Sequence, residues 1–463
     1  MSQIVVKLGG SILKEPEDIG PIITVLKKYC HPIIVVVSAF YGTTDQLIRA
    51  FDDENKTEES IEQTVKSIRH RATKFIDFCE LNPDVRTDLV CKLNELLFQL
   101  HSLLIGSENR DEALTYGERI SALILATIFQ SQRININLAL PEEIGLTTHG
   151  VNGSARVDLN KTRILIRAIV LPTGSYVIPG FYGVSDTGRI ILLGRGGTDY
   201  SASAIASCVG ALSVDLWKDV DGIRSTDPKC GELTQGVSRV SFCEAEELSS
   251  FGTKIIHPLT VAPLIEKNIP VRIFNIKSAR VDLPMTIIQD VEAGEGNIKS
   301  ISADDTLGIV TLSGTGLGMN PGILSKVIDA LDKNELEIKS LMTSQSRINI
   351  LLSRQDCGLA IESLRILSLP GISSINTDDN IAVVAMVGEQ CGEDNDVAGI
   401  ALSALAKNGV KARFCFVGSE AVASYIVVRR DELERTVKAI HRGFFPELPR
   451  INKRPMPTRF RIG

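Results

Sequence analysis

Short apolar runs rich in β-branched residues punctuate the first part of the chain, at Ile4-Val5-Val6 and again at Ile33-Ile34-Val35-Val36-Val37. Between them, Asp18 to Tyr29 has helical spacing, so the opening predicts strand, helix, strand. Strands that are apolar throughout, rather than alternating, belong to parallel sheets covered on both faces. From Phe51 to about Asn109 the chain turns polar with helical spacing and almost no glycine, which predicts two long helices forming a lid or flank. Strand and helix then alternate again, with strands expected at Ile134–Leu138, Ser175–Ile178, Arg189–Leu193 and Leu212–Trp217. Val271–Phe274 reads as the last strand of this first domain.

The pattern changes near Glu292-Ala-Gly-Glu-Gly-Asn297, which reads as a linker. Beyond it the chain nearly repeats itself at a spacing of about 74 residues. Leu307-Gly-Ile-Val-Thr-Leu312 matches Ile381-Ala-Val-Val-Ala-Met386, and Gly314 and Gly318 match Gly388 and Gly392. Ala330-Leu331 matches Ala404-Leu405, and Asn334 matches Asn408 in the turn that follows each helix. Each unit reads as a βαββαβ module, and two of them form a pseudo-symmetric pair. The expected architecture is therefore an α/β domain over residues 1–290, with a parallel-rich sheet sandwiched by helices. Two α+β modules follow, over 298–375 and 376–463.

A chain of 463 residues has room for roughly three domains, in agreement with that division. With 44% hydrophobic and 23% charged residues, wholesale disorder is excluded. Fifty Lys and Arg against 56 Asp and Glu give a formal charge of −6, which argues against a broad nucleic-acid surface while leaving room for a local cationic pocket. The nine cysteines stand singly without zinc-ligand spacing, as expected of reduced thiols in the cytoplasm, and no metal-ligand set is expected. No secretory leader and no membrane span is expected.

Two glycine-rich turns carry the chemistry. Lys7-Leu-Gly-Gly-Ser11 follows the first strand and precedes a helix; Gly9 and Gly10 let backbone amides approach phosphate oxygens, and Lys7 supplies a charge. A plain βα turn with a surface lysine would share this pattern, and the Walker arrangement is absent. Leu193-Gly-Arg-Gly-Gly-Thr-Asp-Tyr-Ser201 is the second such turn. Its glycines can form an anion nest, and Arg195 among them suits bidentate capture of a carboxylate. Thr198 and Asp199 lie at the helix start, where Asp199 could simply cap. Glu118, in Tyr116-Gly-Glu-Arg119, opens an apolar helix and could likewise serve only its N-terminus. Trp217-Lys218-Asp219 begins a strand-end loop containing three acids, and Lys254 follows a glycine in Phe251–Pro258. His257, before Pro258, reads as a packed or hydrogen-bonded loop residue.

Each motif is weak alone, but their order resembles the aspartokinases, with an amino-acid-kinase fold and tandem ACT-like modules. The family's KFGG[TS]S appears as Lys7–Ser11, SAxxGxTxxL as Ser38–Leu47, YGE as Tyr116–Glu118, and GF as Gly180-Phe181. GRGG[ST]DYSA appears as Gly194–Ala202, DVxGIYTTDPR as Asp219–Lys229, and FGAKxxHP as Phe251–Pro258. Leu8, Ile12, Lys218, Arg224, Lys229 and Thr253 depart from the usual residues.

The resemblance implies transfer of the γ-phosphoryl group of ATP to the side-chain carboxylate of L-aspartate. In that reading Lys7 with Gly9 and Gly10 holds the transferring phosphate, and Asp199 orients Lys7. Arg195 takes the substrate α-carboxylate, Glu118 its ammonium, and Ser38, Thr44, Phe181 and Thr198 lie against the substrate. Lys218, Asp219, Arg224, Lys229 and Lys254 fall on the nucleotide side, and Mg²⁺ is carried by phosphates and water. A kinase with another small acceptor and an inactive amino-acid sensor are the alternatives. Retention of Lys7, Glu118, Arg195, Asp199 and Lys254 argues against the sensor.

The two repeats differ at the loop before their first helix. Gly314-Thr-Gly-Leu-Gly-Met-Asn-Pro-Gly322 is neutral, whereas Gly388-Glu-Gln-Cys-Gly-Glu-Asp-Asn-Asp396 is acidic and would repel a carboxylate. An effector site is therefore expected in the first repeat at Met319, Asn320, Gly322, Ile323, Thr343 and Ser344, unless the glycines only make a tight turn. Lysine is the expected effector by analogy, with threonine as the alternative, and pairing of ACT-like modules implies a homodimer.

Overall fold

The protein is described by a computed structural model covering residues 3–445, except 107–108, 151–154, 231–233, 253–254, 279, 291–297, 316, 318–321, 368–370, 390, 392–394 and 421. Lys254, Met319, Asn320 and the expected linker thus lie outside the described residues. The chain divides into two units, Met1–Arg224 with Gln235–Ala293, and Ser225–Thr234 with Gly294–Gly463.

The strands of the first unit are β1 (Ile4–Leu8), β2 (Ile33–Val37), β3 (Asn137–Leu138), β4 (Thr148–His149), β5 (Arg156–Val157), β6 (Tyr176–Pro179), β7 (Tyr182–Val184), β8 (Ile190–Leu192), β9 (Val214–Lys218), β10 (Arg239–Val240), β11 (Val271–Asn275) and β12 (Thr286–Ile288). Its helices are α1 (Ile19–Leu26), α2 (Thr43–Asp52), α3 (Glu58–Phe78), α4 (Pro83–Gly106), α5 (Arg110–Ser131), α6 (Leu159–Ile169), α7 (Gly197–Val209), α8 (Phe242–Ser250) and α9 (Pro258–Ile265).

Among the described residues the main sheet has the order β10-β12-β11-β9-β1-β2-β6-β3. All its pairs are parallel except β11 with β12. Every residue of β1 and β2 is buried, as their unbroken apolar runs require of a central strand. From β1 the chain moves to β2 and β6 on one side and returns to β9 on the other. A crevice therefore opens at the carboxyl ends of these strands, where open α/β sheets bind ligands. In register, Lys7 lies opposite Val36 on β2 and Leu216 on β9, and Val37 lies opposite Pro179. Lys7, Ser38, Gly180-Phe181 and Lys218 thus emerge on one edge.

Two expectations for this unit change, and a third is narrowed. The strand near Arg189–Leu193 is β8, which forms a separate hairpin with β7 rather than joining the main sheet. Val271–Phe274 is not the last strand of its unit, because β12 turns back antiparallel beside it. The long polar stretch forms a flank: Leu89, Leu93, Leu97, Leu100 and Leu104 of α4 share one buried cluster with α3, α5 and β1. By length and composition α4 could cross a bilayer, its mean hydropathy reaching 1.2 over 18 residues, which sequence inspection overlooked. Its leucine stripe is spent on that core.

The second unit contains β13 (Ile298–Asp304), β14 (Leu307–Ser313), α10 (Ile323–Asp332), β15 (Ile338–Thr343), β16 (Arg347–Ser353), α11 (Cys357–Ile366) and β17 (Ser374–Asp378). These are followed by β18 (Ile381–Gly388), α12 (Asn395–Lys407), β19 (Phe414–Glu420), β20 (Ala423–Arg429) and α13 (Leu433–Phe444). Two four-stranded sheets result, β15-β16-β14-β17 and β13-β18-β20-β19. The modules are not contiguous as expected: β13, which precedes the first module, pairs antiparallel with β18 and completes the second. The repeat itself is mirrored in detail. Asn334 and Asn408 each donate a side-chain hydrogen bond to the carbonyl four residues earlier, Ala330 at 2.9 Å and Ala404 at 2.8 Å. The detour Ser225–Thr234 is fastened within this unit, with the Ser225 hydroxyl 2.9 Å from Nε2 of buried His441 and the Ile301 amide donating to the Ser225 carbonyl at 2.8 Å.

Candidate active site

The turn after β1 brings Gly9 and Gly10 beneath Lys7. A Cβ on Gly9 would stand 2.9 Å from the Lys7 ammonium, and one on Gly10 3.2 Å from the Ala39 carbonyl, so only glycine leaves this approach open. The second turn uses Gly194 and Gly196 at φ of 77° and 70° to aim the start of α7 at the same crevice. α7 is built largely of buried Ala and Ser, small enough to pack against β1, β2 and α9. Asp199, in its first turn, is thereby fixed with both oxygens engaged. Lys7 Nζ lies 2.6 Å from Oδ1, and Lys218 Nζ lies 3.2 Å from Oδ2.

Asp199 therefore does more than cap. Burial alone would raise its pKa, but the charges of Lys218 and Lys7 outweigh burial and hold the carboxyl well below the usual range. Burial pushes the Lys7 ammonium below its ordinary value, opposed by Asp199 and assisted by Lys218. With two lysines on one aspartate, the cluster keeps a positive surplus.

That cavity is about 400 Å³ and is lined among others by Lys7, Gly10, Ser38, Thr44, Glu118, Phe181, Arg195, Thr198 and Asp199. Glu118 is 3% exposed, and its Oε2 has no hydrogen-bond partner among the described residues. Burial pushes its carboxyl up to about 8, and the Ala39 amide offsets this only partly. Glu118 lies in the middle of α5, not at its N-terminus, so it has no capping role there. Arg195 is exposed and makes no ion pair among the described residues. A buried acid short of a partner and a free guanidinium on one cavity match the two charged ends of an amino acid.

The nucleotide-side candidates are more dispersed. Lys218 joins the Asp199 cluster. Asp219 pairs with Lys14 at 3.2 Å and accepts from Ser11; burial opposes but does not prevent a lowered pKa. Arg224 lies 3.9 Å from Asp221 and does not line the cavity. Lys229 falls in a short turn, Pro228–Cys230, of the second unit. His257 accepts from the Leu259 amide and caps α9. Of the expected effector residues, Gly322 precedes α10 at φ 84°, Ile323 is buried, and Thr343 and Ser344 are exposed, Ser344 closing the β15–β16 turn on Arg347.

Sequence reading missed the roles of Lys14 and Ser11, and the positive φ of 77° at Phe181. No local signal marks that conformation, which is rare for a bulky residue. Its amide donates to Ser201 Oγ at 3.0 Å.

A parallel sheet with a lysine-flanked aspartate at its carboxyl edge defines a class, and the sequence profile of the amino acid kinase family matches residues 2–275. The chain belongs to the amino acid kinase family. Within it, the chain is 24% identical over 467 residues to the lysine-sensitive aspartokinase 3 of Escherichia coli K12, covering 96% of this chain and 100% of that protein. It is 28% identical over 462 residues to the aspartokinase of Mycobacterium tuberculosis H37Rv, covering 96% of each. The crystal structure of E. coli aspartokinase III with aspartate and ADP shares the fold, with a TM-score of 0.82, 23% identity, and coverage of 96% of this chain and 99% of that one.

Proposed function

We propose that this chain is an aspartate kinase, moving the γ-phosphoryl group of ATP to the side-chain carboxylate of L-aspartate to give the acyl phosphate. The observation that carries this reading is the buried Lys7–Asp199–Lys218 cluster opening on the cavity that also holds Glu118 and Arg195. A carboxylate acceptor is already ionised at neutral pH, so transfer needs no general base; it needs alignment and neutralisation of charge. Lys7, with the amides of Gly9 and Gly10, holds the transferring oxygens, and Asp199 orients Lys7 and Lys218. Arg195 takes the α-carboxylate and Glu118 the ammonium, while Ser38, Thr44, Phe181 and Thr198 shape the acceptor's berth. Asp219, Arg224 and Lys254 serve the nucleotide.

No metal-binding group of acids, histidines and cysteines occurs among the described residues, and Asp219 is already engaged. Mg²⁺ would be carried by the nucleotide phosphates and water, where the ion supplies charge neutralisation.

The enzyme is cytoplasmic and feedback-regulated, with lysine as effector at Met319, Asn320, Gly322, Ile323, Thr343 and Ser344. Inhibition follows from tighter effector binding to one of two conformations. The two sheets of the second unit support assembly as a homodimer, because each leaves edge strands to be covered. Light scattering should give a mass of two chains; a single-chain mass at micromolar concentration contradicts this.

Hydroxylamine trapping of the acyl phosphate tests the activity: hydroxamate should form only with ATP, Mg²⁺ and L-aspartate together, and no signal above the ATP-only control rejects the reading. Arg195→Ala should raise the aspartate KM by about 10- to 100-fold, the worth of a charged hydrogen-bonded contact, with kcat little changed. An unaltered aspartate KM removes Arg195 from the α-carboxylate.

A further inference from the structure

Behind Glu118 and Phe181 lies a cluster that the transfer chemistry does not use. Glu118 is followed by Arg119, and Phe181 by Tyr182; these two neighbours converge on Glu142. Arg119 Nη2 lies 2.7 Å from Glu142 Oε1, and the Tyr182 hydroxyl donates to Glu142 Oε2 at 3.1 Å. The guanidinium stacks between two rings, 5.8 Å from the Tyr116 centroid and 5.0 Å from that of Tyr182, while Arg119 Nε donates to Thr115 Oγ1 at 3.0 Å. Tyr182 is fully buried. Arg119, Glu142 and Tyr116 border a second cavity of about 510 Å³, separate in its lining from the one holding Glu118.

We propose that Arg119, Glu142 and Tyr182 are positioning residues that set the spacing between Glu118 and Phe181, and with it the affinity for the acceptor's ammonium group. The inference rests on the reading of the cavity given above. Two features of the geometry demand such a brace. The left-handed backbone of Phe181 is strained for a bulky residue and persists only where its surroundings over-determine it. Ser201 fixes it from α7, and the Tyr182 hydroxyl anchors the adjoining residue to the loop carrying Glu142. Glu118 lies on α5, and its neighbour Arg119 ties that turn of the helix to Glu142 and to the Tyr182 ring. Glu142 accepts from both sides with different oxygens, so α5 and β7 are tied through one carboxylate. A shift of about 1 Å in either would separate the acid from the ammonium it must meet.

The test uses the full-length enzyme and three variants: Tyr182→Phe, which removes one hydroxyl, Glu142→Gln on the partly exposed loop, and Arg119→Lys, which keeps the charge and loses the fork. The parent is first assayed with L-aspartate and ATP. Each variant should raise the aspartate KM about fivefold or more while the ATP KM and kcat stay within about twofold, because only acceptor binding is misaligned. A lowered melting temperature with an unchanged aspartate KM would reduce the cluster to a structural brace and overturn the proposal. A parallel rise in both KM values would do the same. Should Tyr182→Phe fail to fold, Glu142→Gln alone decides. Parent turnover with unaltered variant KM values defeats this proposal only; absence of parent turnover with L-aspartate defeats the acceptor reading and this proposal together.

Discussion

Replacing Lys7 with alanine should lower kcat by about 100-fold or more while ATP affinity changes far less, because its charge counts most as negative charge shifts in the transferring group. The fold should survive. Asp199 keeps Lys218 at 3.2 Å, and the buried carboxylate is not left without a counter-charge. Steady-state kinetics of Lys7→Ala beside the parent, with circular dichroism on both, separate chemistry from folding. A kcat within threefold of the parent would remove Lys7 from the reacting centre.

The aspartate KM should depend steeply on pH. Burial raises the Glu118 carboxyl to about 8, so in the empty enzyme at neutral pH this group is mostly protonated. An ammonium needs the carboxylate. Binding must therefore expel a proton below about pH 8, and the aspartate KM should climb toward about tenfold for each pH unit lost. Going upward, the dependence should flatten once Glu118 is ionised in the free enzyme. Glu118→Gln should raise KM by about 100-fold at the upper end, where the parent has its carboxylate, and by much less near pH 6. Its own profile should be flat over the same range. A parent KM that stays constant between about pH 6 and 8.5 excludes Glu118 as the ammonium partner.

Much of the site was legible because its chemistry sits in short local patterns. Lys7 with two glycines and Asp199 after a glycine nest each admit a plain turn or a cap when taken alone, and it is their order along the chain that marks them. The central strands were equally plain, since β1 and β2 are apolar throughout. What escaped was non-local. Nothing in the pattern of Ile298–Asp304 chooses between two similar sheets, and the strand it forms joins the farther one in sequence. Arg119, Glu142 and Tyr182 lie far apart along the chain, and each is unremarkable until folding brings them together. The left-handed turn at Phe181 was hidden for a related reason: tertiary contacts override a residue type that disfavours it.

The crossing of β13 into the second sheet has a consequence for how such a chain can be shortened, fused or exchanged between proteins. A stop placed after β17 would preserve every strand of the first sheet, yet strand β13 would lose β18 and with it the sheet it completes. Its seven residues would then offer an open ladder to any neighbour, the usual start of edge-to-edge association. Removing the first module instead would sever β13 from β18 in the chain. The stretch Ser225–Thr234 adds a further bond of the same kind, since it leaves the first unit in mid-sequence and returns. Inheritance of the second unit is therefore all or none, and a transplant that omits those ten residues moves an incomplete part.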